Sequence, residues 1–181
     1  MNTKSNVKNT VMTALMMGLI MLMTFIIRIP VPASEGYIHL GDCMIFMAVL
    51  LLGWKRGAVA AGVGSALADL IGGYAFYAPV TLVVKFVMAM LVGLFIERAV
   101  KKGFTGGRFI VMEVLGMALG GAFMCGGYYL AESLFYGNWF TPLLAIPMNI
   151  LQFGVGIVIA TLLAHALYKT PARSAFAYHI N

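Results

Sequence analysis

Three ionisable residues interrupt the apolar runs of this chain, namely Asp42, Asp69 and Lys85. A charge at the centre of a membrane helix costs about 2.5–3.5 kcal/mol on insertion scales, so such residues usually serve a function or pair with one another. A tight basic turn at 53–57 separates the runs that carry the two acids and places both toward the opposite membrane face. Lys85 starts from that face, roughly 9 Å deep at 1.5 Å per residue. The spacing predicts that the three charges meet and bind a small molecule; the alternative is an inert structural ion pair.

Three further polar residues extend this candidate site. His39 precedes Asp42 in a loop, where it is either a ligand-binding group or merely solvated. Asp42 itself also suits the first turn of a helix, because a carboxylate there meets the positive end of the helix dipole. Asn149 and Gln152 lie one turn apart near mid-membrane, so we expect them to share a face and either join helices or bind ligand.

Tyrosines flank the same region in uncharged loops. Tyr74 and Tyr77 fit the aromatic belt that membrane proteins carry at the interface, and they could also stack on a planar ligand. Together, the candidate binding residues form this set: His39, Asp42, Asp69, Tyr74, Tyr77, Lys85, Asn149 and Gln152.

The composition is that of a membrane protein. The 181 residues are 62% hydrophobic and only 10% charged, with mean hydropathy +0.96, whereas soluble domains carry about 25% charge. We expect one all-α integral membrane domain over residues 1–181. The net charge of +6 resides in short loops and therefore indicates topology rather than nucleic-acid binding. Cys43 and Cys125 lie in apolar runs and are interpreted as packing residues, so that neither a metal nor a cofactor is expected.

The apolar runs predict six transmembrane helices. Ten of the 12 basic residues fall in the two termini and in the loops at 55–56 and 98–108, so both termini are expected in the cytoplasm. Between the first two helices, the prolines and glycine of residues 28–39 exclude regular helix. The predicted spans are Thr10–Ile27, Leu40–Trp54, Gly57–Gly73, Val80–Glu97, Phe109–Leu134 and Pro142–Leu167.

Small residues indicate where helices approach one another. Gly116, Gly120 and Gly121 predict internal packing of the fifth helix, and Ala14 and Gly18 give the first helix a small-xxx-small face suited to an external partner. In contrast, motifs for catalysis are absent from the sequence, which contains no Walker A, H-E-x-x-H or G-x-S-x-G pattern. An enzyme is therefore not expected.

Two sequence blocks resemble the S component, the substrate-binding membrane subunit, of energy-coupling factor (ECF) vitamin transporters. They are G-Y-I-H-L-G-D at residues 36–42 and G-S-A-L-A-D-L at 64–70, the latter followed by G-Y, Y-A-P-V-T-L and Lys85. The resemblance implies an ABC-type importer in a prokaryotic plasma membrane, with a T-type coupling subunit and two ATPases as partners. It also implies that the first helix docks on the coupling subunit through an Ala-x-x-x-Ala face, which Ala14 matches and Gly18 modifies.

Within that family the chain is most similar to members for hydroxymethylpyrimidine or pyridoxine. A small hydroxylated aromatic ring suits tyrosine stacking together with Asp, His, Asn and Lys hydrogen bonds. Pantothenate or another vitamin remains an alternative substrate, since Lys85 suits a carboxylate. The rival function is a stand-alone proton- or ion-coupled transporter that uses Asp69 and Lys85 as a relay.

Overall fold

Five long helices make up almost the whole chain. The computed structural model describes residues 3–26, 28–30 and 37–178. Each helix is long and apolar enough to cross a membrane, the last together with the 3₁₀ turn Thr141–Ala145 that precedes it. The prediction of an all-α membrane protein is thereby confirmed. The helices are α1 (Thr3–Ile26), α2 (Gly41–Ile71), α3 (Ala78–Lys101), α4 (Gly106–Tyr136) and α5 (Ile146–Tyr168).

The second and third predicted helices form one element, α2, that is broken in the middle. Gly53 has φ 75° and ψ 174°, a conformation outside the helical region that glycine adopts without steric cost. A Cβ on Gly57 would lie only 2.8 Å from the Cα of Val49, whereas a straight helix separates residues eight apart by about 12 Å. The backbone therefore reverses at Gly53.

Contacts with α1 show that the two segments of α2, 41–52 and 54–71, run back along each other. A Cβ on Gly41 would meet Thr24, and one on Gly64 would meet Ile20. These two α1 residues are one turn apart, but a straight α2 would hold the two glycines about 34 Å apart. Both ends of α2 consequently lie at the same end of the bundle.

The segment between α1 and α2 contains a short strand pair that the sequence did not predict. Strand β1 (Arg28–Pro30) pairs antiparallel with β2 (Tyr37–His39), with Arg28 opposite His39. The exclusion of regular helix from residues 28–39 agrees with the strands at 28–30 and 37–39, while residues 31–36 lie outside the described part. We name the end of the bundle that holds these strands the strand end.

Glycines bring the helices into close contact along α4. A Cβ on Gly120 would lie 2.4 Å from a methyl of Val92 in α3, and one on Gly121 would lie 2.4 Å from the ring of Phe153 in α5. Gly116 likewise approaches Phe95 and Ile96 of α3. The predicted internal packing face is confirmed, and it holds α4 between α3 and α5.

The C-terminal segment closes the opposite end, which we name the tail end. The Ala177 N–H donates to the Leu50 carbonyl at 3.0 Å. Leu50 lies in the last turn before the break at Gly53, where helical carbonyls lose their intrahelical donors. The Tyr178 hydroxyl donates to the Gly93 carbonyl at 3.0 Å, so the tail ties α2 to α3.

Candidate functional site

A buried ion pair lies at the centre of the candidate site. Lys85 Nζ on α3 lies 2.5 Å from Asp42 Oδ1 on α2, and both side chains are 0% exposed. Gln152 Nε2 on α5 donates to the other carboxylate oxygen, Oδ2, at 2.8 Å. Removing two charges from water is expensive unless further hydrogen bonds satisfy them, and Gln152 supplies one. Three helices thus converge on one carboxylate.

His39 links the strand pair to this network. Its backbone N–H donates to Gln152 Oε1 at 3.1 Å, and its ring Nδ1 accepts the Gly41 N–H at 2.9 Å. Because Nδ1 is an acceptor, a neutral His39 ring carries its proton on Nε2. The amide of Gln152 is therefore fixed in orientation by Asp42 on one side and by the strand on the other.

Lys85 keeps donor capacity beyond its ion pair. An ammonium has three N–H donors. The strong acceptor among its contacts is Asp42 Oδ1, and the second contact is the Met124 thioether sulfur at 2.7 Å, a weak acceptor. The ring of Tyr128 lies beside the charge, 5.7 Å from Nζ to the centroid, within cation–π range. The Tyr128 hydroxyl donates to Thr81 Oγ1 at 3.2 Å.

Asp69 is a second buried acid of α2. It is 5% exposed and occupies the last turn of α2, at the strand end, as the sequence predicts. Lys85 forms its salt bridge with Asp42, and the relay of Asp69 with Lys85 stays a hypothesis. A ligand-binding role for Asp69 stays a prediction.

The remaining candidates are Asn149, Tyr77 and Tyr74. Asn149 is half-buried, and its side chain makes no hydrogen bond within residues 39–178. Tyr77 shares a 2.6 Å hydrogen bond with Tyr136 and packs edge-on to Phe135 at the strand end. Tyr74 is half-exposed, and its backbone N–H donates to the Asp69 carbonyl at 2.8 Å. Tyr74 and Tyr77 both lie in the loop between α2 and α3, and their role in ligand binding stays a prediction.

Three residues of α4 were not predicted as site residues. Met124 and Tyr128 contact Lys85, and Glu132 follows one turn later with 5% of its surface exposed. Their spacing of four residues places them on one helix face. That spacing is visible in the sequence and would have found them once Lys85 was placed opposite α4.

The predicted docking face of α1 is open. Ala14 is exposed, and a Cβ on Gly18 would meet nothing within 4 Å. Exposed apolar side chains continue this face along the helix, including Val7, Val11, Leu15 and Leu22.

Taken together, these features define a membrane protein that holds a polar, hydrogen-bonding site among its helices. The sequence model of the family described as "ECF-type riboflavin transporter, S component" matches residues 4–169. The chain belongs to this family of S components. It is accordingly the substrate-binding subunit of an ECF-type vitamin transporter, a multi-pass protein of the prokaryotic cell membrane that acts within a transporter complex and not as an enzyme.

Two relatives and one solved structure are similar to this chain over most of its length. The chain is 28% identical over 172 residues to the "Thiamine precursor transporter HmpT" of Lactococcus lactis, covering 94% of each chain. It is 40% identical over 147 residues to a Pyrococcus woesei protein described as "Uncharacterized protein in gap 3'region", covering 81% of this chain and 92% of that one. The crystal structure of an S component for biotin has the same fold, with TM-score 0.72 at 21% identity over 94% of this chain and 95% of that one.

Proposed function

We propose that the protein captures a small water-soluble vitamin or vitamin precursor at the strand end and delivers it through a T-type coupling subunit and two ATPases. Hydroxymethylpyrimidine or pyridoxine is the favoured substrate, and riboflavin and pantothenate are the alternatives. The observation that carries the proposal is the network of Asp42, Lys85 and Gln152, which is buried and joins three helices. An ion pair of this kind contributes little net stability for its cost, so a binding role accounts for it better.

The chemistry of the site supports a small aromatic substrate. Lys85 offers a donor to a hydroxyl, ring nitrogen or carboxylate, while Tyr128 presents a ring face beside it. Pockets of this type place a few polar groups among aromatic and apolar ones. The Lactococcus relative, a thiamine precursor transporter by name, points the same way. The riboflavin-type family model keeps the larger flavin as the main competitor.

We further propose that the chain crosses the membrane six times, with both termini in the cytoplasm. The reversal of α2 at Gly53 supports two crossings by its segments 41–52 and 54–71. The basic residues Lys55, Arg56 and Lys101 then fall at the tail end, which is the cytoplasmic side by the positive-inside rule. The strand end, with its candidate site, faces outside.

Identification of the bound molecule tests the substrate proposal most directly. The protein is purified in detergent from its host and examined by native mass spectrometry, and binding of the four named compounds is measured by calorimetry. We expect one compound to bind, and Lys85→Ala and Asp69→Asn to weaken its binding by at least about tenfold, which is 1.4 kcal/mol. Unchanged affinity in both variants would remove these residues from the site, and binding of none of the four would contradict the proposed choice of substrate.

The docking face of α1 is tested separately. Ala14→Trp adds a large ring to the open face, and we expect it to abolish association with the coupling subunit in co-purification. Ligand binding should stay unchanged, because Ala14 points away from the bundle. Leu162→Trp on α5, which is 66% exposed, is the matched control and should leave the complex intact. A complex that forms normally with Ala14→Trp would exclude this face.

A further inference from the structure

Residue Glu132 lies on the helix face that lines the candidate site. Met124 of α4 meets Lys85 of α3, and four residues later Tyr128 meets Thr81. Because the two helices run antiparallel in this register, the next position on α4, Glu132, comes opposite Tyr77. Glu132 is thus one turn closer to the strand end than Tyr128, and about 12 Å along the axis from Met124.

One oxygen of the Glu132 carboxyl group is buried and has no hydrogen-bond partner in the described residues. The Glu132 side chain is 5% exposed, and atom Oε2 has no hydrogen bond within residues 7–26 and 39–178. No ion pair joins it to a described residue either. A buried carboxyl group without a partner is unfavourable, whether ionised or neutral. Natural proteins keep few such groups, and each calls for an explanation.

The other buried glutamate of α4 shows what a structural solution looks like. Glu113, near the tail end, is 2% exposed and accepts a hydrogen bond from the Tyr168 hydroxyl at 3.0 Å. The two residues share a helix, a side-chain type and a similar degree of burial. They differ in that a neighbouring helix satisfies Glu113, whereas the described residues leave Glu132 open on the site face.

We propose that Glu132 is a specificity-determining residue that binds an N–H donor of the ligand, an amino group or a protonated ring nitrogen. This inference rests on the proposed function and adds the substrate's chemistry. The carboxyl group accepts hydrogen bonds from such donors, and these bonds are strong when one partner is charged. The Lys85 end, in contrast, offers a donor to an oxygen or ring-nitrogen acceptor. A ligand that contacts both Lys85 and Glu132 would be an aromatic ring that lies beside Tyr128. It would carry an acceptor on the side of Lys85 and an N–H donor on the side of Glu132.

A matched pair of ligands and a matched pair of variants test the proposal. The ligands are a hydroxymethyl aminopyrimidine and its analogue with hydrogen in place of the amino group, and the variants are Glu132→Gln and Glu113→Gln. Binding to the intact purified protein is measured by calorimetry, and folding by thermal unfolding. We expect Glu132→Gln to weaken binding of the amino ligand at least about tenfold and of the analogue less than about threefold. Glu113→Gln should change neither affinity.

The outcomes separate this inference from the proposed function. Equal affinity of wild type and Glu132→Gln for the amino ligand would overturn the role of Glu132 while leaving vitamin binding in place. The role of Glu132 would also be overturned if the wild type bound only vitamins that lack an N–H donor. Binding of no vitamin at all by the wild type would overturn the proposed function itself and the inference with it. Should Glu132→Gln unfold, Glu132→Asp provides the second variant, and restored selectivity for the amino ligand would support the proposal.

Discussion

The two ends of the bundle bury polar groups in different ways. At the tail end two buried groups each have a single partner: Glu113 pairs with Tyr168, and Tyr178 pairs with the Gly93 carbonyl. At the strand end the groups form a network across α2, α3 and α5, in which Asp42 is held by two donors and Lys85 retains donors to spare. Paired groups stabilise a fold, whereas a network with unused capacity is suited to receive another molecule.

The difference shows where the chain gives up stability for binding. A purely apolar core at the strand end would avoid the desolvation of two charges. Buried ion pairs often stabilise a fold no more than apolar side chains of similar volume. The chain nevertheless keeps two carboxyl groups, an ammonium group and an amide there. All four side chains are at least nine-tenths buried: Asp42, Glu132, Lys85 and Gln152. At the tail end, the hydrogen bond from Tyr168 offsets the desolvation of the Glu113 carboxyl group.

The largest expected effect is the loss of Lys85. Lys85→Ala leaves the Asp42 carboxylate buried without its counter-ion, and breaking a buried pair in this way costs about 3–5 kcal/mol. We expect a correspondingly lower free energy of unfolding in detergent, measured by chemical denaturation of the purified protein. The double variant Asp42→Asn/Lys85→Met should recover most of the loss, because no charge remains buried.

An exposed ion pair on the same helix gives the control for this prediction. Lys101 pairs with Glu97 at 2.6 Å, but the Lys101 side chain is 70% exposed. Lys101→Ala should therefore cost about 0.5 kcal/mol or less. If Lys85→Ala were no more destabilising than Lys101→Ala, the buried ion pair at the strand end would not carry the energetic cost that we assign to it.

Hydropathy was enough to predict the helices and the reversal of the chain. Runs of about 20 apolar residues mark the spans, and the sequence Gly53-Trp54-Lys55-Arg56-Gly57 combines a flexible residue with basic ones at an interface. The structure places the non-helical backbone at Gly53 itself. The strands β1 and β2 were missed because three residues each are too few to show an alternating pattern.

The choice of the partner of Lys85 could not be made from the sequence. Asp42 and Asp69 both lie at the strand end, and the pattern of apolar runs gives their depth. Which of them faces Lys85 depends on the rotation of each helix about its axis, and that is set by packing such as the contact of Gly156 with Asp42. The same reason explains Glu132: the sequence places it near a helix end, but only the rotation of α4 shows that it is buried.

A smaller effect than that of Lys85→Ala is expected at the tail end, and it depends on pH. Burial raises the pKa of Tyr178 to about 12 from its ordinary value near 10, so the folded protein holds this proton where the unfolded chain has lost it. The contribution of the protonated hydroxyl to stability is therefore fully present below pH 10 and falls as the pH rises toward 12.

Tyr178→Phe removes both the titration and the hydrogen bond to the Gly93 carbonyl. Loss of that hydrogen bond costs about 1 kcal/mol at neutral pH. Between pH 9 and 11 the wild type should lose about 1.4 kcal/mol more than the variant, since one pKa unit corresponds to 1.36 kcal/mol. Chemical denaturation at both pH values measures this difference, and parallel losses in the two proteins would mean that the tail does not pack against α3 in solution.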